Sequence, residues 1–426
     1  MQVGATPVHR TAREFPSMTA ETPRPVRRAA LAFIFITVVL DILALGIILP
    51  VLPHLIESFL GGDTARAAEY IGLFGTAWAV MQFFSSPILG ALSDRFGRRP
   101  VILLSNLGLG LDYILMALAP TLWWLFTGRL ISGITSASIA SAYAYVADVS
   151  VAERRAGAFG MVGAAFGFGF VFGPALGGLL AEIDPRLPFW VAAGLSLANF
   201  AYGLFVLPES LPPDRRMAFA WRRANPLGSL KLLRRHRELL GIAVVYFISN
   251  LAHAALPSVF VISTGYRYGW SEGEVGLVLA LVGISSIVVQ GGVVKLLVAR
   301  LGEARVLLIA LAAGVIAFSI YGAAAWPLLF LIGVPITAIW GMAGPASQGL
   351  MSRRVGADEQ GQLQGAAASL RSLTDILGPG LFTLTFAHFI RASAPIHLPG
   401  APFFLSALLL AAALAMAWWV VHAPRR

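Results

Sequence analysis

The amino-acid sequence predicts an all-α membrane protein with twelve transmembrane helices in two halves of six. Of its 426 residues, 58% are hydrophobic and only 12% are charged, whereas about 25% of the residues in a soluble domain are charged. Several stretches, such as residues 31–52 and 306–332, exceed the ~18 apolar residues that indicate a membrane span. Lipid offers the backbone no hydrogen-bond partners, so each span must be helical.

Twelve spans of about 20 residues fit a chain of this length. They are predicted at residues 31–54, 70–92, 101–119, 122–146, 157–181, 188–207, 239–262, 274–297, 305–323, 327–350, 364–389 and 401–421. A polar segment, residues 1–29, precedes them. We interpret it as a disordered cytoplasmic tail, because the apolar segment behind it is too long for a signal peptide and no small-residue cleavage site ends it.

The distribution of arginine and lysine predicts the orientation of the spans. The net charge is +10, which in a soluble protein would suggest nucleic acid as a partner. In a membrane protein, basic residues concentrate in the cytoplasmic loops instead. Basic segments such as residues 95–99 and 300–305 alternate with loops that hold a single arginine. Both termini are therefore predicted to be cytoplasmic, and no nucleic acid is expected as a partner.

An internal repeat divides the chain into an N-terminal half, residues 30–208, and a C-terminal half, residues 239–426, joined by a basic cytoplasmic linker, residues 209–238. At one offset of 205 residues, identical residues recur in two separate regions. The matches include Arg95 with Arg300, Gly97 with Gly302, Val101 with Val306, and Gly173-Pro174 with Gly378-Pro379. Two parallel halves of this kind are typical of transporters whose substrate path runs between them.

Three charged residues inside the predicted spans of the first half are candidates for proton or substrate coupling. Asp41 lies in the first span and Asp112 in the third. A charged carboxylate at bilayer depth costs on the order of 3 kcal/mol, and burial favours its protonated form, so it can carry a proton. Arg129, in the fourth span, is predicted to be the electrostatic partner of Asp41, or alternatively to lie near the membrane interface and extend its charge toward water. The alternative for both aspartates is a hydrogen bond that only joins neighbouring helices.

The second half adds a charged pair and most of the polar candidates. Arg371 and Asp375 are four residues apart in the eleventh span and therefore share a helix face. They are candidates for coupling, or alternatively an inert ion pair that locks the packing. Candidates for the substrate cavity are Gln82, Asn250, His253, Gln290 and Gln348. His253 can titrate near neutral pH, although a structural hydrogen bond explains a lone histidine equally well.

Nothing in the sequence indicates an enzyme. There is no cysteine, so disulfides, cysteine–metal sites and thiol nucleophiles are excluded. Phosphate-binding loops, esterase elbows and zinc-protease motifs are also absent from the sequence. No metal or other cofactor is expected. Without a nucleotide site, transport must draw its energy from an ion gradient or from the substrate's own gradient.

Two segments have spacing that suits a transporter. Gly169, Gly173 and Gly177 are spaced by four in the fifth span, which lets helices approach closely, and Pro174 bends that span. Residues 90–103, with the sequence GALSDRFGRRPVIL, form a Gly-rich and arginine-rich loop between the second and third spans. The plainer interpretation of this loop is a basic anchor on the cytoplasmic side.

These segments resemble the tetracycline/proton antiporter group of the major facilitator superfamily, over nearly the whole chain after residue 30. The resemblance rests on GALSDRFGRRPV, Leu49-Pro50-Val51-Leu52-Pro53, Leu111-Asp112-Tyr113, Gly128-Arg129 and Gln360-Gly361-Gln362-Leu363-Gln364-Gly365. It implies the major facilitator fold. It also implies a cytoplasmic gate of Asp94 and Arg98, an antiporter motif of Gly169, Gly173, Pro174 and Gly177, and functional charge at Asp41, Asp112 and Arg129, with Gln82 at a polar position of the group.

The second half departs from that group. Its ninth span has Ala312-Ala313-Gly314 where the group usually has an aspartate, and its eighth span has Ser285-Ser286 where the group often has a histidine. We therefore predict that Asp375 takes over part of the role of the missing carboxylate.

The predicted function is proton-coupled export of an amphipathic small molecule, a tetracycline-like drug or another xenobiotic. A monomer in the inner membrane of a bacterium is expected to perform it with the proton gradient as its energy source. The alternative is transport of a metabolite, a nutrient or a siderophore-like product on the same fold. A membrane receptor that transports nothing is a third possibility, but the intramembrane charges argue against it because they are costly without a transport role.

Overall fold

A computed structural model of the chain describes residues 25–136, 138–150, 155–219, 228–230, 232–233, 237–356 and 359–422. Within these ranges the regular structure is entirely helical. Residues 1–24 of the predicted tail, residues 220–227 of the predicted linker and the last four residues of the chain lie outside the described residues.

The described chain contains sixteen α-helices, α1 to α16. Those of the N-terminal half are α1 (Pro25–Ile48), α2 (Leu52–Phe59), α3 (Thr64–Phe96), α4 (Arg98–Ala117), α5 (Leu122–Thr135), α6 (Ser138–Val149), α7 (Arg155–Ile183) and α8 (Leu187–Phe205). Those of the C-terminal half are α9 (Arg237–His253), α10 (Ala255–Tyr268), α11 (Glu272–Val288), α12 (Val294–Ala323), α13 (Pro327–Trp340), α14 (Ala343–Ser352), α15 (Gln360–Ile390) and α16 (Ala401–His422). A π-helical turn, Val289–Val293, joins α11 to α12, and two 3-10 turns, Pro213–Arg215 and Gly228–Leu230, lie in the predicted linker.

Twelve membrane spans account for these helices. In the described chain, eleven helical stretches are long and apolar enough to cross a membrane. The longest, Glu272–Ala323, has 52 residues, roughly twice what a bilayer requires. Gly302 interrupts it with φ 77° and ψ 158°, a conformation that residues with a Cβ rarely adopt. The stretch therefore makes two spans, which brings the total to the predicted twelve.

Several predicted spans are broken into two helices. The predicted first span is α1 followed by α2, because prolines at positions 50 and 53 remove backbone donors at the junction. The fourth, seventh and tenth spans consist of α5 with α6, α9 with α10, and α13 with α14. The helix α1 begins at Pro25, so the last five residues of the predicted tail are helical, with proline at the first helical position, where its missing N–H costs nothing.

The two halves meet along two helix pairs, α3 with α15 and α7 with α11. One continuous apolar cluster runs through both halves, with Ile47, Phe74, Phe260 and Phe382 among its members. Two further clusters are confined to one half each: one contains Tyr145 of the N-terminal half and the other Tyr246 of the C-terminal half. The halves are therefore joined over only part of their length.

The joined part lies at one end, which we call the closed end. There, Thr76 of α3 donates a hydrogen bond of 3.2 Å to the carbonyl of Ile376 on α15, and Glu69 forms an ion pair with Arg391. His54 Nδ1 lies 3.8 Å from a carboxylate oxygen of Glu272. These contacts connect one half to the other.

The opposite end, which we call the basic end, carries the arginine-rich loops that begin at Arg95 and Arg353. On the faces that continue the two helix pairs toward this end, glycines face open space. For Gly160, Gly163 and Gly361, no described heavy atom outside their own helices lies within 4 Å of the position that a Cβ would take. A cavity therefore opens between the halves toward the basic end.

Candidate functional site

One stripe of α15 lines this cavity. Gln364, Ala368, Arg371 and Asp375 are all exposed, and their spacing of three and four residues places them on one face of the helix. The same face continues to Pro379, which packs against α3: a Cβ added to Gly75 would lie 3.0 Å from Pro379. Because this face meets the other half at the closed end, its exposed part faces the space between the halves. We call these four residues the α15 stripe.

Arg371 and Asp375 are within electrostatic range of each other. In the described part of the chain, however, neither takes part in an ion pair or a side-chain hydrogen bond. The two residues share a helix face, as the sequence predicts. They do not form the inert ion pair that was the alternative interpretation. Both charges are instead presented to the cavity.

Helices α9, α13 and α14 form the neighbouring wall of the C-terminal half. His253 is exposed, and its ring centroid lies 5.2 Å from that of Trp340. Asn250 donates a hydrogen bond of 2.8 Å to the carbonyl of Tyr246, and Gln348 donates one of 3.4 Å to the hydroxyl of Tyr246. The amide of Asn250 is thus engaged by its own helix and that of Gln348 by the side chain of Tyr246, whereas His253 adds a polar aromatic surface.

The remaining two polar candidates lie on other walls. Gln290 is exposed and belongs to the π-helical turn, with its side-chain nitrogen 3.9 Å from where a Cβ of Gly341 would be. Turns of this kind are frequent at functional sites because they redirect side chains. Gln82 is half-buried on α3, seven residues from Gly75 and therefore on the face toward α15. The five polar candidates thus come from both halves.

A second cluster of charges is buried inside the N-terminal half. Arg129 Nη2 lies 3.6 Å from a carboxylate oxygen of Asp112, and the two side chains are 11% and 0% exposed. Neither carboxylate oxygen of Asp112 has a hydrogen-bond partner among the described residues. Gly128 makes room for the pair, because a Cβ there would lie 2.6 Å from Asp112 Oδ1. Arg129 therefore pairs with Asp112, and the expected pairing with Asp41 is not the one observed.

Asp41 has a different neighbour. It is buried at 8% exposure and accepts a hydrogen bond of 3.3 Å from the amide of Asn199. Asn199 is fully buried on α8 and also donates to the carbonyl of Thr37. Sequence reasoning missed Asn199, although an asparagine within an apolar run was the signal that marks it. The carboxylate of Asp41, a residue of α1, therefore faces α8 inside the N-terminal half.

The basic end of the N-terminal half is held by a network around Arg98. Arg98 forms ion pairs with Asp94 and, at 3.0 Å, with Asp148 at the end of α6. Ser210 donates a hydrogen bond of 3.2 Å to the same Asp148 oxygen. The two predicted gate residues, Asp94 and Arg98, are therefore in contact. Asp148 and Ser210 were missed because sequence spacing does not bring the ends of distant spans together.

Glu209 completes this network. Its carboxylate accepts hydrogen bonds from the backbone N–H groups of Arg98, at 2.8 Å, and Arg99, at 3.3 Å. These groups start α4, where unpaired donors and the helix dipole favour a negative charge. Gly97, with φ 108°, allows the sharp turn, and a Cβ there would collide with Glu209. The segment after α8 is thereby fastened to the loop between α3 and α4.

The glycines of the predicted antiporter motif bring α7 against α1. A Cβ on Gly173 would lie 2.7 Å from the Cα of Gly46, and Gly169 and Gly177 approach Ile42 and Ile47 in the same way. On its other side, the carbonyl of Pro174 faces Gly276 of α11. The motif therefore packs α7 within its own half and also against the other half.

No group of three or more histidine, aspartate or glutamate side chains that could hold a metal ion occurs in the part of the chain that the structure describes.

Comparisons with known proteins agree with this architecture. The family model of the Major Facilitator Superfamily matches residues 34–379. The class C tetracycline resistance protein of Escherichia coli is 40% identical over 363 residues, which are 84% of this chain and 90% of that protein. The human organic anion transporter MFSD10 (TETRAN) matches with a TM-score of 0.68 and 25% identity, over 92% of this chain and 100% of that one. A bacterial homologue of the human lysosomal transporter Spinster, in an inward-facing and unoccupied conformation, matches in fold with a TM-score of 0.73 and 16% identity, over 94% and 98% of the two chains.

Proposed function

Because the chain belongs to the Major Facilitator Superfamily, we propose that it is a proton-coupled antiporter that exports an amphipathic small molecule across a bacterial inner membrane. The observation that carries this proposal is the cavity between the halves, whose α15 stripe presents Arg371 and Asp375. Charges are costly in a membrane and mark substrate or ion pathways. The 40% identity to a tetracycline resistance protein supports a drug as the exported molecule.

In this proposal the basic end faces the cytoplasm, as the positive-inside rule requires, and both termini are cytoplasmic. The cavity is then open to the cytoplasm, ready to receive the molecule that is to be exported. Release outside requires the contacts at the closed end to separate and the basic ends of the two halves to come together. Such rocking of two halves about a central site is the usual form of alternating access.

Protons supply the energy in this proposal, and no bound cofactor takes part. One pH unit provides about 1.4 kcal/mol per proton, and a membrane potential of 100 mV adds about 2.3 kcal/mol. Asp112, beside Arg129, and Asp41, beside Asn199, are the buried carboxylates that take up and release protons within the N-terminal half. Asp375, exposed on the α15 stripe, serves as the carboxylate of the C-terminal half, and a single chain is the working unit.

Everted membrane vesicles that contain the protein test this function. A pH gradient is imposed and followed with a fluorescent dye, and tetracycline with magnesium or a panel of amphipathic drugs is then added. Export coupled to protons predicts collapse of the gradient with the intact protein, and little collapse with Asp41→Asn present at the same level. If no compound collapses the gradient, proton-driven drug export is wrong and the transport of a metabolite becomes the better proposal.

A further inference from the structure

We propose that the cavity selects amphipathic molecules that carry both a negative and a positive group, the negative group binding Arg371 and the positive group Asp375. This inference rests on the proposed function, because it assumes that the cavity between the halves is the substrate site. It adds the chemical class of the substrate.

The two charges are available to a ligand. Arg371 and Asp375 are both exposed on the α15 stripe, and the described part of the chain provides neither of them with an ion pair or a side-chain hydrogen bond. Hydrophobic residues of the same helix that face away from the stripe, such as Leu377 at 52% exposure, are placed to face lipid. The fields of the two charged groups are therefore directed into the cavity.

The presence of two opposite charges close together favours a ligand that carries both a negative and a positive group. They are one helical turn apart, about 6 Å along the helix axis. A ligand with a single charge would be attracted by one residue and repelled by the other, and a neutral ligand would gain from neither. Specificity of this kind comes as much from the repulsion of unsuitable ligands as from the attraction of the suitable one.

The chemistry of each residue assigns the two ends of the ligand. The planar guanidinium of Arg371 suits a carboxylate or another flat anion, which it can bind with two parallel hydrogen bonds. Asp375 accepts from an ammonium group. Since α15 begins at the basic end, Arg371 is nearer the mouth of the cavity and Asp375 is deeper. The negative group of the ligand therefore lies toward the mouth.

The adjoining wall suits the apolar body of such a ligand. His253 is exposed, its ring lies 5.2 Å from that of the buried Trp340, and it offers an aromatic surface within electrostatic range of Arg371. Gln82 of α3 lies across the cavity on the other half. Mostly apolar pockets with a few well-placed polar groups are typical of small-molecule sites.

The inference is tested with a fluorescent probe that carries both charges and with two derivatives, each of which lacks one of those charges. Nα-dansyl-lysine carries both charges, its methyl ester carries only the positive one, and its Nε-acetyl derivative carries only the negative one. Binding to purified protein is measured by dansyl fluorescence, so that the result does not depend on proton coupling. We expect the dissociation constant of Nα-dansyl-lysine to be at least tenfold lower than those of the other two probes.

Substitutions on the α15 stripe identify which residue binds the negative group of the probe and which binds the positive group. With Arg371→Gln, Nα-dansyl-lysine should no longer bind more tightly than its methyl ester, but it should still bind more tightly than its acetyl derivative. With Asp375→Asn, Nα-dansyl-lysine should no longer bind more tightly than the acetyl derivative, but it should still bind more tightly than the methyl ester. The double variant Arg371→Asp/Asp375→Arg, which keeps both charges in exchanged order, should retain both preferences. Leu377→Ala, on the opposite face of α15, is the matched control and should keep both preferences.

Equal affinity of the intact protein for the three probes would overturn the inference, and so would an equal loss of affinity for all three in both single variants. The proposed function is judged separately by the drug-dependent proton movement in vesicles. Selective binding without proton movement would support the inference and contradict proton coupling. Proton movement without selective binding would support the function and contradict the inference.

Discussion

Glu303 forms an ion pair with Arg353, and both residues lie 205 positions beyond a second ion pair, that of Arg98 with Asp148. The two halves thus contain the same connection with the charges exchanged. In each half it joins the start of the third span to the end of the fourth. The preceding glycines, Gly97 and Gly302, both have positive φ, 108° and 77°. The repeat therefore preserves the position of the pair and its backbone turn, but not its polarity.

Exchanging the charges of the Glu303–Arg353 pair tests whether transport requires only that the two residues form an ion pair or also requires the direction of its charges. Glu303→Arg and Arg353→Glu, as single variants, place like charges together and should lower transport about fivefold. The free energy of unfolding should change by less than about 1 kcal/mol, since Arg353 is 71% exposed and exposed pairs contribute little. The double variant should restore transport. Vesicle transport at matched expression measures this, and a double variant no better than the worse single variant would show that the pair does not act as a unit.

The buried pair of Asp112 and Arg129 predicts a strong effect on stability. Asp112→Asn or Arg129→Gln leaves one charge without its partner in a buried site, which should lower the free energy of unfolding by about 3–5 kcal/mol. Asp112→Leu combined with Arg129→Met removes both charges and should cost less than either single variant. Thermal unfolding in detergent micelles measures these differences. Asp94→Asn, at the more exposed basic end, is the control and should change the free energy by about 1 kcal/mol or less.

The close approach of α7 to α1 predicts that Gly173 cannot accept a side chain. A Cβ there would lie 2.7 Å from the Cα of Gly46, so Gly173→Ala should lower the free energy of unfolding by about 1–3 kcal/mol through overpacking. Gly163→Ala, on the same helix but facing open space, should be neutral or slightly stabilising because alanine favours helix. Equal thermal stability of the two variants would contradict the observed packing.

Alternating access requires the closed end to open during transport, and the ion pair of Glu69 with Arg391 joins the two halves at that end. The chain contains no cysteine, so Glu69→Cys/Arg391→Cys introduces a single possible intramolecular disulfide. Oxidation should form this cross-link and abolish transport, and a reducing agent should restore it. Each single cysteine variant is a control and should be insensitive to oxidation. Full transport by the cross-linked protein, with the disulfide verified by mass spectrometry, would mean that this end stays closed.

Much of the architecture could be predicted from the sequence, because a membrane imposes simple rules. Long apolar segments and the repeat at 205 residues indicated twelve spans and the major facilitator fold. The family match confirms the superfamily, and the helices of the structure agree with twelve spans. The helix breaks were missed where hydropathy continues through them, as between α5 and α6. Hydropathy measures the preference for lipid and does not register a local change of backbone direction.

The charged sites were harder to predict, because partners depend on how the helices rotate and pack. Asp41, Asp112 and Arg129 were recognised by their cost in lipid, yet the pairing of Arg129 with Asp112 follows from the packing of α4 against α5. Asp148 and Glu209 were missed as partners of the gate, since both stand at span ends where charge is ordinary. Whether these residues act in coupling stays a prediction.

The close contact between Gly46 and Gly173 and the open surface of the α15 stripe differ in how readily they accept new side chains. At Gly46 and Gly173, every possible substitution adds atoms where none fit, so a variant there is expected to lose stability before it can gain a new activity. At Gln364, Ala368, Arg371 and Asp375, a new side chain meets only open space and the molecule being carried. A population exposed to an unfamiliar toxic compound is therefore expected to gain a new specificity more readily through residues that line the cavity, such as those of the α15 stripe, than through the glycines that pack α7 against α1.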